Sequence, residues 1–131
     1  MPIAILLSFL VSFLPSSTIG KINNEHLDIL SYASVRASEA GINPISFIKL
    51  INCESKLEKL AKGDCEEGKC VSQGILQFQK PTYDMFAKKY GLVGSWLSPY
   101  SQINLAAAII SREKNGINNW YWCGKRSGLL K

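Results

Sequence analysis

Cys53, Glu54 and Ser55 place a carboxylate near the end of a predicted helix. Asn43 and Pro44 start that helix: Asn caps the free N–H groups of the first turn, and proline is preset for its first position. From there Phe47, Leu50, Ile51 and Glu54 recur at i, i+3, i+4 and i+7, one face of an α-helix. The first three are a core-facing stripe. The fourth puts an acid at the open end of that stripe, where burial favours the protonated form and raises the pKa. A carboxyl held protonated near neutral pH is what a general acid needs. The competing reading is a solvated acid at a frayed helix terminus.

A second acid would widen the chemistry. Asp64, Glu66 and Glu67 are candidates by proximity in sequence. Glu66 and Glu67 lie in the short segment between Cys65 and Cys70 and read as solvent-exposed. Asp64 follows Gly63 and reads as a turn residue bonding its own backbone. Glu58 falls beyond the expected helix end. His26 is the single histidine; it has no Ser or Cys partner signature, so a His-dependent nucleophile has no support.

The elements that must position Glu54 are mostly helical. Asn23 and Asn24 precede a segment with Leu30, Ala33, Ala37 and Ala40 on one face, stopped by Gly41. The helix over 44–54 follows at once. Between residues 57 and 79 the periodicity disappears, and glycines break the segment into turns; Val71 and Ile75 to Phe78 suggest short strands of a β-hairpin. Helical spacing returns at Pro81, with Tyr83, Phe86, Ala87 and Tyr90 on one face and Gly91 at the end. The longest helix is expected over 99–115, its Ile103, Ala106, Ala107 and Ile110 stripe small-sided enough for close packing by neighbours. An aromatic turn, Trp120 to Trp122, closes the pattern. The expected class is α+β, mostly α.

Composition limits the partners. The chain of 131 residues is 47% hydrophobic and 19% charged, enough for a single packed core. Residues 3–14 are almost wholly apolar and uncharged, too short to span a bilayer and suited to the core of a secretory signal. We therefore expect a signal peptide over 1–20, a mature domain over 21–131, and a secreted, periplasmic or envelope location. Four cysteines fit that compartment and allow three disulfide pairings. Chain geometry favours a local Cys65–Cys70 bridge across a glycine-containing turn, leaving Cys53 with Cys123; the rival is a Cys₄ zinc site, for which Cys53 and Cys123 make no second close pair. No metal or cofactor is expected. The net charge of +5 suits anionic partners, but the lysines are dispersed and nucleic acid is not expected. A monomer without a stable membrane span is expected.

Taken in order, Glu54-Ser55, Gly63-Asp64, Ser72-Gln73-Gly74-Ile75-Leu76-Gln77-Phe78 and Pro81-Thr82-Tyr83 resemble the signature of the lytic-transglycosylase (SLT-like) branch of the lysozyme superfamily. Ser101 to Ala106 is similar to the Asn-Ile-x-x-Ala stretch on that family's central helix. The resemblance covers about residues 43–123. It implies a lysozyme-like, two-lobed helical domain whose cleft has Glu54 at its floor and the 63–79 hairpin along one wall. It also implies a catalytic acid at Glu54, a supporting Ser55, and Ser72 and Gln77 lining a saccharide cleft. Two features depart from the pattern. Gln102 stands where the family has Asn, and the Ala-Tyr-Asn-Ala-Gly motif is replaced by Trp120-Tyr121-Trp122-Cys123, leaving Tyr121 as the candidate substitute for the missing tyrosine.

The implied activity is cleavage of the MurNAc-GlcNAc β-1,4 bond of peptidoglycan glycan strands, with 1,6-anhydromuramoyl products and a single glutamate as acid and then base. The alternatives are a hydrolytic muramidase, which adds a second carboxylate, and a glycan-binding module without turnover.

Overall fold

The computed structural model describes residues 12–15 and 22–131. The expected leader, 1–20, lies outside the described residues except for 12–15, of which Leu14 is buried in the core.

Helix α1, Asn24–Glu39, begins with a reciprocal cap: the Asn23 side chain accepts from the His26 N–H at 2.9 Å, and His26 Nδ1 accepts from the Asn23 N–H. Its inward stripe includes Leu30, Ala33 and Ala37, as the spacing predicts, with Ile29 added. Helix α2, Pro44–Ser55, is capped by Asn43, whose side chain accepts from the Ser46 N–H at 3.0 Å. Phe47, Ile48, Leu50 and Ile51 are buried on it. The short link between α1 and α2 folds them back on each other. An ion pair from Lys59 Nζ to Glu25 Oε1, at 2.6 Å, ties the chain just beyond α2 to the first turn of α1.

The aperiodic middle forms a three-stranded antiparallel sheet of β1, Lys62–Glu66, β2, Lys69–Gln73, and β3, Phe78–Gln79. Glu67 and Gly68 make the two-residue hairpin turn, both with left-handed φ. Cys65 pairs directly with Cys70 across the hairpin, and these two form one disulfide. The expected strand at Ile75 to Phe78 is confined to its last residue. Ile75 and Leu76 lie in a turn, fully buried, because the segment must leave the sheet to plug the helical core. β1 has no β-branched residue, which is why propensity did not mark it.

Helix α3, Lys80–Tyr90, has Pro81 in its first turn and Gly91 as a left-handed cap. Helix α4, Pro99–Arg112, is capped by Ser98 and packs against α1 and α3. It stops three residues before the expected end at 115. There the chain tightens into a 3-10 turn, Gly116–Trp120, and continues as helix α5, Tyr121–Ser127. Packing explains the early stop: a Cβ at residue 116 would lie 2.1 Å from the Ile109 carbonyl oxygen, so the chain crosses tightly over α4 there. The second disulfide, Cys53–Cys123, pins α5 to the residue beside Glu54. Both cysteine pairs follow the favoured pairing, and no thiolate remains for the rival zinc site. The architecture is α+β, mostly α. Among the described residues no helix is long and apolar enough to cross a membrane.

Candidate functional site

Glu54 occupies the last turn of α2, half-buried. The helix ends just after it because Lys56 and Leu57 both take left-handed backbone, with the Leu57 side chain buried as an anchor. The stop is therefore built into the fold. The Glu54 carboxyl is pushed up to about 7, first by burial and then by the negative charge of Asp64.

Asp64 reaches this position through an irregular backbone. In a regular hairpin Gly63 and Ser72 share one face, while residue 64 belongs with Val71 on the other. Asp64 has φ of 50°, a conformation that costs a non-glycine residue on the order of 1 kcal/mol. Its carboxylate accepts a hydrogen bond from the Ser72 hydroxyl, on the Gly63–Ser72 side of the hairpin. Ser72 is buried, so the carboxylate is held on an immobile donor. Asp64 thus lies within β1, its carboxylate bonded to Ser72, and not in the expected turn.

Asp64 and Ser72 line a cleft of about 210 Å³, together with Gln77, Thr82, Asn119 and Trp120. Glu54 is not part of that lining; Asp64 is its link to the cleft. Of the residues implied by resemblance, Ser72 and Gln77 are at the cleft, while Ser55 and Tyr121 are not. The buried Ser55 hydroxyl donates back to the Ile51 carbonyl at 3.1 Å, closing the helix end behind Glu54. Tyr121 is exposed, its ring edge-on to Trp122 with the Lys125 ammonium over its face. Gln77 has a bracing function: its amide nitrogen donates to the carbonyls of Ala61 and Gly74, each at 2.9 Å. The carbonyl end of that amide sits over Gly63, where a Cβ would lie 2.0 Å from Oε1.

Helical donors hold the cleft wall. Gln102, fully buried on α4, accepts from the Leu76 N–H at 2.9 Å and donates to the carbonyls of Gln73, at 3.0 Å, and Trp96, at 2.7 Å. The Trp120 indole donates to the Leu76 carbonyl at 2.8 Å, and the Trp96 indole to the Phe78 carbonyl at 3.2 Å. Residues 74–77 turn out of the sheet between the paired Gln73 and Phe78, and these three side chains bond backbone groups of that turn and its flanks. Gln102, Thr82 and Asn119 were not legible as site or wall residues. For Gln102 a signal existed: it is a polar residue at i relative to Leu105, Ala106 and Ile109, inside the buried stripe of α4.

A larger hollow of about 400 Å³ lies at the other end of α1, between Arg36, Tyr90 and Arg112. Its lining holds neither Glu54 nor Asp64, and its arginines stand in last helical turns, where cations offset the helix dipole. The smaller cleft is the better candidate on chemistry. Among the described residues no group of three or more His, Cys, Asp and Glu side chains is placed to hold a metal ion. Comparison with protein-family models, with curated proteins and with solved structures finds no match.

Proposed function

We infer that the chain is a secreted or envelope-facing enzyme that cleaves the MurNAc-GlcNAc β-1,4 bond of peptidoglycan by lytic transglycosylation. The observation that carries this reading is the Glu54 carboxyl with its pKa at about 7, on a rigid helix end next to Asp64 of the cleft. At neutral pH such a group is half protonated, so it serves both as proton donor and, once ionised, as proton acceptor.

In the first step Glu54 gives its proton to the bridging oxygen as the C1–O bond breaks, and the substrate's acetamido group stabilises the positive charge on the sugar. In the second, the Glu54 carboxylate removes the proton of the C6 hydroxyl, whose oxygen closes on C1. The product is a 1,6-anhydromuramoyl end and no water is consumed. Asp64 acts here through its charge, keeping Glu54 protonated to higher pH.

One observation favours a second reading, hydrolysis. Asp64 is a cleft carboxylate positioned by Ser72, and a muramidase uses a second carboxylate as nucleophile or as base to water.

Mass spectrometry of purified peptidoglycan digested by the oxidised protein separates the readings. Anhydro-ended muropeptides that vanish with Glu54→Gln support lytic cleavage. Reducing-end products that vanish with Asp64→Asn as well support hydrolysis. Glycan binding without products from any form leaves a binding module.

A further inference from the structure

Helix α5 has two unlike sides. At 100° per residue, Trp120, Cys123, Gly124 and Ser127 fall together. Trp120, Gly124 and Ser127 are buried, and Cys123 is bonded to Cys53. The opposite side carries Tyr121, Trp122, Lys125 and Arg126, all exposed. Trp122 is 75% exposed, more than any other aromatic side chain among the described residues. Its ring centroid is 5.2 Å from that of Tyr121, and Lys125 Nζ lies 4.9 Å from the Tyr121 centroid, so rings and ammonium form one connected patch.

The charge here is one-sided. Beyond Glu113 the chain contains Lys114, Lys125, Arg126 and Lys131 and no acid, so this stretch supplies most of the net charge of +5. The four ion pairs among the described residues use none of these groups.

We propose that the Tyr121, Trp122, Lys125 and Arg126 face docks on an anionic lipid headgroup layer, as a peripheral contact without a span. Indole and phenol rings settle at the boundary between headgroups and hydrocarbon, and neighbouring Lys and Arg are drawn to acidic lipids. The shape agrees. The patch is on the convex outer side of a helix, which suits a flat partner, whereas the cleft side of this segment is formed by Asn119 and Trp120. The disulfide to α2 fixes the patch relative to Glu54, so docking would also orient the candidate site over the membrane.

The test uses the full oxidised chain and sedimentation with vesicles of phosphatidylcholine alone, or with a quarter phosphatidylglycerol. Because the apolar 3–14 segment is common to every form, the informative comparison is between variants. Wild type binds the anionic vesicles at least about tenfold more strongly than the neutral ones, and loses this preference in high salt. Trp122→Ala, and Lys125→Gln with Arg126→Gln, each lower binding to anionic vesicles by roughly tenfold without changing the melting temperature. Variants that sediment like wild type would overturn the proposal, as would binding indifferent to lipid charge. So would Trp122→Ala weakening retention on purified peptidoglycan while vesicle binding stays intact, which would give this face to the glycan.

Discussion

Gly74 leaves open the space that the Gln102 amide fills. A Cβ at residue 74 would lie 2.1 Å from Gln102 Nε2, and the φ of 92° at Gly74 suits glycine alone. Through this contact α4 reaches the turn behind the cleft and bonds three backbone groups: the Leu76 N–H in the turn, the Gln73 carbonyl at the end of β2 and the Trp96 carbonyl in the loop before α4. Gln102→Met keeps the length and nearly the volume of this buried side chain, so its effect reports the lost bonds more than a cavity. We expect a loss of about 3 kcal/mol, as the Leu76 N–H and the Gln73 and Trp96 carbonyls lose their partner. Urea unfolding should show a lower midpoint with an unchanged slope. An unchanged midpoint would mean that Gln102 does not hold the wall.

Glu54→Gln should remove glycan cleavage by about 10²- to 10⁴-fold, the usual contribution of a positioned acid, with the fold intact. It should also stabilise the protein at alkaline pH. A carboxyl whose folded pKa is raised from 4.5 to about 7 binds more protons folded than unfolded, so stability falls as pH rises through that window. The neutral amide escapes this loss. Since the group is half-buried, solvent screening reduces the gain above pH 7 to about 1 kcal/mol. Thermal melts of both forms at pH 5 and pH 8 test it, and equal differences at the two pH values would contradict the burial of Glu54.

The pH–activity profile should fall on its alkaline side at about 7, where Glu54 loses its proton. Asp64→Asn removes the charge that raises this pKa, so the fall should move to lower pH. The move is partial, because burial is the larger cause. If Asp64 acts only through its charge, activity at pH 5 stays within about fivefold of wild type. A loss beyond about 10²-fold at every pH would make Asp64 a direct participant, as a hydrolytic mechanism requires.

The two disulfides should differ in weight. Cys53–Cys123 closes 70 residues and Cys65–Cys70 closes five. Loop-closure entropy gives about 4 kcal/mol for the first and about 2 kcal/mol for the second. Replacing the first pair with serine should also weaken glycan cleavage, since Cys53 adjoins Glu54. Denaturant titrations of the two double-serine variants and of the oxidised protein measure the order; a larger loss from the short loop would reverse it.

The helices of this chain were legible where local chemistry names them. Asn43 with Pro44, Pro99, and Gly41 and Gly91 mark ends through bonds and φ angles made within a few residues. The stripes at Leu30, Ala33 and Ala37 and at Phe47, Leu50 and Ile51 mark the core for the same reason: helical period is a property of sequence alone. Glu54 belonged to this group. It ends an apolar stripe, so its partial burial followed from its spacing.

Tertiary structure decided what surrounds Glu54. Asp64 becomes a cleft carboxylate only because its backbone turns left-handed, against its position in the strand, and a buried Ser72 holds it there. Gln102 is a keystone only because the 74–77 turn and its flanks bring backbone groups within its reach. Trp120 lines the cleft while Trp122, two residues later, faces solvent, a division set by the packing of α5 on α2. Contacts within one helical turn or one cap are written in neighbouring residues, so sequence by itself marked α1 to α4 and set Glu54 at the end of α2, while α5 had been read only as an aromatic turn. Contacts between distant segments depend on register, crossing and left-handed backbone. Only the assembled fold chooses these, and so only it could supply the acid's neighbours.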